Sequence, residues 1–255
     1  MPHSLTLTAL PQIGFVRPGD DLAATLAAAV ERAGERLRDH DVLVVAQKIV
    51  SKAEGRYVDL ARVAPSPRAE QLGRETDKDP RLVELILEES RAVLRHRPGV
   101  LVVEHRLGYV MANAGIDRSN VDPAAGEEPV LLLPRDPEAS AERLRARLAA
   151  HFACAPAVIV ADSFGRAWRR GTVGIALGAA GLPSLLDLRG KPDLYGRALR
   201  VTETGFADEV AAAASLLMGQ AGEARPAILV RGLDWSDPPL PAHALIRAEA
   251  EDLFR

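Results

Sequence analysis

The sequence predicts an α+β fold rather than a P-loop or Rossmann sheet, on three observations. Apolar runs of strand length and amphipathic stretches alternate only imperfectly along the chain. No GxxxxGK[ST] or GxGxxG segment joins a strand to a helix. Hydrophobic residues make up 47% of the 255 residues and aromatics only 4%, so the core must be built from Ala, Val and Leu rather than from rings. A chain of this length can bury roughly three quarters of its unfolded surface, in one large domain or two small intertwined ones. No repeat, low-complexity tract or linker marks a boundary, so residues 1–255 are read as a single unit.

The elements follow from local pattern. Leu5 to Leu10 is β-prone, and a loop from Pro11 to Pro18 leads to Gly19-Asp20-Asp21, an acidic start for a helix over Leu22 to Leu37. Asp41 to Ala46 is a valine-rich strand that delivers Gln47, Lys48, Ser51 and Lys52 at or beyond its end, polar groups with no reason to enter the core together. Asp79-Pro80 opens an amphipathic helix running to Arg95. Val100 to Glu104 and Gly108 to Met111 are β-like, the second running into the polar turn Ala114 to Asn120; Val130 to Leu133 is a further strand and Ser140 to Ala150 a helix. Ala157 to Ala161 is a buried strand ending at Asp162-Ser163-Phe164-Gly165-Arg166. The glycine-rich stretch from Arg169 to Gly181 fits either a loop or a close-packed strand. Ala207 to Ala214 favours a helix stopping near Gly219, Ala227 to Val230 is a last core strand, and a short helix follows Pro241.

With 35 acidic and 32 basic residues the net charge is -3, so no global field draws a nucleic acid and any phosphate must be held locally. The single cysteine, Cys154, precludes an internal disulfide and a multi-cysteine metal cage, in keeping with a cytoplasmic protein. The amino-terminal stretch carries neither a basic segment nor a long apolar run, so neither a secretory signal nor a membrane span is indicated. The histidines lack HExxH spacing and no GxSxG elbow is present, which argues against a zinc protease or a serine hydrolase.

Two aspartates carry the chemistry, Asp117 and Asp162, each where an apolar run gives way to glycine and small polar residues. Carboxylates at such edges can meet in space and hold Mg²⁺ or Mn²⁺, with oxygen from Ser163 and Asn120 beside them. The same Asp-x-x-Asn pattern also caps helices and builds turns. Lys52 and the cluster Arg166, Arg169 and Arg170 offer positive charge to phosphate oxygens, or are solvated surface residues. Met218 to Gly222 ends an alanine-rich helix with small residues that admit close backbone approach, or holds a plain helix cap at Gly219.

Six segments in order resemble the coenzyme F-420 gamma-glutamyl ligase family, across nearly the whole chain. They are RPGDDL from Arg17, DVLVVAQKIVSKAEGR from Asp41, ANAGIDRSNV from Ala112, DSFGR from Asp162 with the nearby WRRGTVG, DLYGR from Asp193, and Ala207-Asp208-Glu209 leading to LLMGQAGE. The resemblance implies a two-lobed α+β homodimer with no nucleic-acid or membrane partner, and no nitroreductase-like domain after Arg255. It implies a GTP-dependent ligase that joins L-glutamate to the F-420 precursor, and then gamma-linked glutamates, through an acyl phosphate. Divalent Mg²⁺ or Mn²⁺ would sit on Asp117, Asp162, Ser163 and Gln220, with room for a monovalent cation such as K⁺. GTP contacts would come from Leu10, Pro11, Gln12 and Ile13, from Gln47, Lys48, Lys52 and Asn120, and from Met218, Gly219, Gln220, Ala221 and Gly222. Lys52, Arg166, Arg169 and Arg170 would neutralise the transferring phosphoryl group. Three positions depart from the family: Ala9-Leu10-Pro11 stands for the usual Gly-Leu-Pro, Gln47-Lys48 for small hydroxyl residues, and Gln220 for a glutamate. The competing readings are a non-catalytic nucleotide or metal-binding module and an amide ligase for another acidic acceptor.

Overall fold

The computed structural model describes residues 4–253; Met1 to His3 of the amino-terminal reading and the last two residues lie outside the described part. In chain order the elements are β1 (Thr6–Ala9), α1 (Leu22–Arg32), β2 (Val42–Ala46), α2 (Gln47–Ala53), β3 (Tyr57–Asp59), α3 (Pro67–Thr76), α4 (Pro80–Glu88) and β4 (Ser90–Arg97). They continue with β5 (Val100–His105), β6 (Val110–Ala112), β7 (Pro129–Leu131), α5 (Pro137–Phe152), β8 (Ala157–Arg166) and β9 (Arg169–Ala180). Last come β10 (Leu186–Asp187), β11 (Glu203–Thr204), α6 (Phe206–Met218) and β12 (Ala227–Arg231).

The arrangement is a mixed α and β one, as predicted. A five-stranded sheet runs in the order β1-β12-β2-β8-β9, and β2 with β8 is its parallel pair. β2 is apolar throughout because both its faces are covered. Leu43 and Val45 face α1, α2 and α5, together with Val158, Val160 and Leu229. Val42 and Val44 join Ile159, Ile228 and Val230 against α6. A second packing centre, made by the chain between β3 and β7, gathers Leu60, Leu72, Leu82, Ile86, Leu101 and Val103. Tyr109, Met111, Leu133, Phe164 and Leu177 pack together between the three-stranded sheet β4-β5-β6 and the β8–β9 hairpin.

Helix starts repeat one device. Ser66, Asp79 and Asp136 each cap a helix whose first turn holds a proline, and each side chain accepts a backbone N–H of that turn. α1 stops at Arg32 rather than Leu37 because Gly34, at φ +72, turns the chain left-handed and lets Glu35 N–H reach the Val30 carbonyl.

The predicted helix from Asp79 to Arg95 is two elements. α4 ends at Glu88, and Ser90 to Arg97 turns back as β4 to pair with β5 through Pro98 and Gly99, the latter at φ +87. A hairpin turn with a strong apolar partner strand overrides helical spacing there. The glycine-rich segment resolves as strand β9, and its glycines are steric. A Cβ on Gly178 would lie 2.3 Å from the Pro137 backbone, and one on Gly174 would lie 2.5 Å from the Ala211 carbonyl. α5 and α6 therefore press directly on the strand. The helix read after Pro241 is present only as short 3-10 turns at Ala242–Leu245 and Glu249–Glu251.

Between the two packing centres, Arg56 donates through Nε to the Leu133 carbonyl at 2.8 Å and through Nη2 to both Glu89 carboxylate oxygens at 3.1 Å. Arg106 Nε adds a bond to Glu89 at 3.0 Å, and fully buried His105 approaches it at 3.5 Å. Burial pushes the Glu89 carboxyl up, but His105, Arg106 and Arg56 outweigh it and hold the group at about 2.

Three outcomes follow. Gly178→Ala should cost at least about 3 kcal/mol or prevent folding, since backbone and not a flexible side chain must move. Gly165→Ala, with nothing within 4 Å of its Cβ, should stay within about 1 kcal/mol of the parent in urea unfolding. Because the folded Glu89 pKa is depressed, its contribution is present above the unfolded carboxylate value and is lost as pH falls from about 5 toward 2. Unfolding free energies measured from pH 7 to pH 3 should therefore drop more steeply for the parent than for Glu89→Gln. At pH 7 the parent should be the more stable by on the order of 3 kcal/mol.

Candidate functional site

The parallel register places the site. Ala46 is paired with Ala161, so the chain leaves β2 at Gln47 beside Asp162, the first residue of β8 beyond the parallel pairing. Asp162 is inside β8, not at its end as the sequence suggested, because the strand continues as a hairpin arm with β9 to Arg166. Asp117 is brought to the same place by a separate anchor: its N–H and C=O both bond Leu131, each at 2.9 Å, in a strand-like bridge.

α2, which the sequence reading did not assign, organises the site. Its residues fall into two pairs spaced by four, each on one face of the helix. Gln47 and Ser51 form the inner pair, 1% and 0% exposed, contrary to the expectation that these polar groups stay out of the core. Ser51 Oγ donates to Gln47 Oε1 at 2.9 Å, and Gln47 Nε2 donates to Asp117 Oδ2 at 2.7 Å. Burial is tolerated because the chain of donors and acceptors is closed. Lys48 and Lys52 form the outer pair. Lys48 Nζ lies 2.9 Å from Asp117 Oδ1 and 3.3 Å from Ser119 Oγ, so both oxygens of Asp117 are engaged.

Two half-buried carboxylates here lie close enough for their charges to oppose each other. Burial and then the charge of Asp117 push Asp162 up to about 7, against the Ser163 backbone N–H and Lys48. Burial also raises Asp117, opposed first by Lys48. Lys52 is lowered by burial and by the neighbouring Lys48 ammonium, with Asp122 and Asp117 acting the other way. Such a pair of hard oxygen donors gains from a cation and suits Mg²⁺ or Mn²⁺. Among the described residues no group of three or more His, Cys, Asp or Glu forms a cage. Ser163 follows Asp162 within β8, so its side chain points to the opposite face of the strand, and Gln220 is exposed; an ion on the two carboxylates would need waters and phosphate oxygens for most of its shell.

The turn Met218 to Gly222 joins this centre through Asn120, whose Nδ2 donates to the Ala221 carbonyl at 3.2 Å. Gly219, at φ +73, caps α6, and Gln220 is exposed. Glu223, quoted in the sequence motif but given no role, holds the turn by accepting the Ala221 N–H at 2.8 Å. In the first loop Leu10 and Ile13 are core residues, so only their backbone can meet a ligand. Gln12 sits at φ +53 with its carbonyl held by Arg32 at 3.0 Å. Arg166, Arg169 and Arg170 stand at the exposed tip of the β8–β9 hairpin, where Arg166 Nη2 donates to the Arg170 carbonyl at 3.0 Å. Arg166 is four residues along the strand from Asp162, a backbone separation of roughly 13 Å. The hairpin tip and the two carboxylates are thus apart in this structure.

The family model described as F420-0:Gamma-glutamyl ligase matches residues 12–232. A Coenzyme F420:L-glutamate ligase from Methanopyrus kandleri is 44% identical over 256 residues, covering 99% of this chain and 98% of the relative. One of the same description from Methanothermobacter thermautotrophicus is 44% identical over 255 residues, covering 98% and 99%. Another from Archaeoglobus fulgidus is 42% identical over 241 residues, covering 94% and 92%.

Ser51→Ala leaves Gln47 Oε1 buried without its donor and should destabilise the protein by about 1–3 kcal/mol in denaturant unfolding. Ser51→Thr, which restores the hydroxyl, should recover more of that loss than Ser51→Val.

Proposed function

The chain belongs to the F420-0:Gamma-glutamyl ligase family, and from that membership we propose that it forms the amide bond between L-glutamate and the coenzyme F-420 precursor, using GTP and a divalent ion. The observation that carries the reading is the meeting of Asp117 and Asp162, from distant parts of the chain, beside two lysines of one helix.

In this reading the terminal carboxylate of the precursor attacks the γ-phosphorus of GTP, GDP leaves, and the amine of glutamate then displaces phosphate from the acyl phosphate. Asp117 and Asp162, with Ser163 and Gln220 as further proposed ligands, would hold a divalent ion, which would supply charge neutralisation at the phosphate oxygens. The protein's own contribution is placement and charge. Lys48 and Lys52 present ammonium groups on one side of α2, and Gln47 with Ser51 fixes the orientation of Asp117. Asn120 and Glu223 hold the turn from Met218 to Gly222, and the first loop from Leu10 to Ile13 offers backbone groups to the nucleotide. Arg166, Arg169 and Arg170 add positive charge at the hairpin tip, further along the strand from Asp162.

The same reading carries a homodimer. Trp168 at that tip and Leu194, Tyr195 and Val201 in the following loop are more than four fifths exposed, an apolar area that an isolated chain would leave in water. Among the described residues no helix is long and apolar enough to cross a membrane.

Incubation with GTP, Mn²⁺, L-glutamate and the precursor should release GDP and yield a product heavier by glutamyl units in mass analysis. GDP release without glutamyl addition would overturn the assigned acceptor. Asp162→Asn keeps size and removes ligand charge; it should lower that turnover by about a hundredfold or more with the unfolding midpoint maintained. Full turnover in this variant at low Mn²⁺ would reject the ion's proposed seat.

A further inference from the structure

The two oxygens of Asp117 are not equivalent. Oδ2 takes the neutral amide of Gln47 at 2.7 Å, a donor locked in place by Ser51. Oδ1 takes the ammonium of Lys48 at 2.9 Å. A cation approaching Asp117 therefore meets a group it can share the carboxylate with on one side, and a like charge on the other. Lys48 is the movable partner. Its side chain is 27% exposed, its stem is flexible, and its second contact is a single hydroxyl, Ser119, at 3.3 Å. Lys52 lies one turn further along the same face and close enough for the two ammonium charges to oppose each other. An anion arriving between Lys48 and Lys52 would relieve that opposition.

Resting on the ligase reading above, we propose that Lys48 is a resident counter-cation on Asp117. The divalent ion displaces it, and the freed ammonium turns to the nucleotide phosphates. Ion and nucleotide then bind cooperatively, because each removes what hinders the other: the phosphates draw Lys48 away from the carboxylate, and the ion leaves Lys48 without its carboxylate partner. Without nucleotide, Lys48 holds down the affinity for the ion alone. The residue thus couples two binding steps instead of only adding charge to one.

The test is Mn²⁺ binding to the full chain, with and without a non-hydrolysable GTP analogue, read as loss of the free-ion EPR signal beyond that lost in protein-free samples of the same Mn²⁺ and analogue concentrations. For the parent, the analogue should tighten Mn²⁺ binding by about tenfold. Lys48→Gln should bind Mn²⁺ alone severalfold more tightly than the parent, and the enhancement by the analogue should shrink by that same factor, toward what direct contact of the phosphate oxygens with the ion supplies. Lys48→Met, compared by unfolding midpoint, separates loss of charge from any defect peculiar to the new amide. If both variants bind Mn²⁺ alone no more tightly than the parent while Asp162→Asn abolishes binding, the displacement idea fails and the ligase reading stands. If the parent binds no Mn²⁺ even with the analogue, the ion's place in the ligase reading fails, and the displacement with it.

Discussion

The parallel pairing of β2 with β8 is the constraint on which the site depends. It aligns Ala46 with Ala161, so that α2 begins beside Asp162 and its polar side chains reach the same small volume. The pairing is itself held by burial on both faces: α5 and α1 cover one side and α6 the other, with glycines in β9 admitting α5 and α6 to backbone contact. A slip by one residue would exchange the two faces of the strand and turn Asp162 away. Packing and chemistry are thus the same problem here.

Electrostatics adds the second condition. Two half-buried carboxylates close together repel, and the protein answers with a lysine and an amide on Asp117 and a backbone N–H on Asp162. Asp162, with less of this compensation, is pushed up to about 7 first by burial and then by the charge of Asp117. Under the proposed function, a divalent ion would remove the imbalance. The Arg56–Glu89–Arg106 cluster works in the opposite sense, a carboxylate so well provided with donors that it stays ionised despite burial. It serves to join two packing centres.

Much of the core was legible in the sequence because apolar runs of strand length, such as those at Val42 and Ala157, have a single sensible use. The aspartates were legible as positions of polarity change. α2 was not, since its seven residues put two buried polar groups at helical spacing, which reads as surface until the partner carboxylate from Asp117 is known. β4 was read as helix because its apolar spacing fits both periods until Pro98 and Gly99 pair it with β5. Asp162 stood out, but no local pattern told that its strand would continue as a hairpin carrying the arginines away from it. Glu223 and Ser51 act on neighbours' backbone and amide orientation, and that geometry has no composition signal.

The central claim is that Asp117 and Asp162 hold one divalent ion against a nucleotide's phosphates. A crystal structure with GDP and Mn²⁺, with the ion located by its anomalous scattering, tests it most directly. The account predicts a single strong peak within coordination distance of both carboxylates and of a phosphate oxygen. A peak that touches neither aspartate, or phosphates seated away from α2, would contradict it.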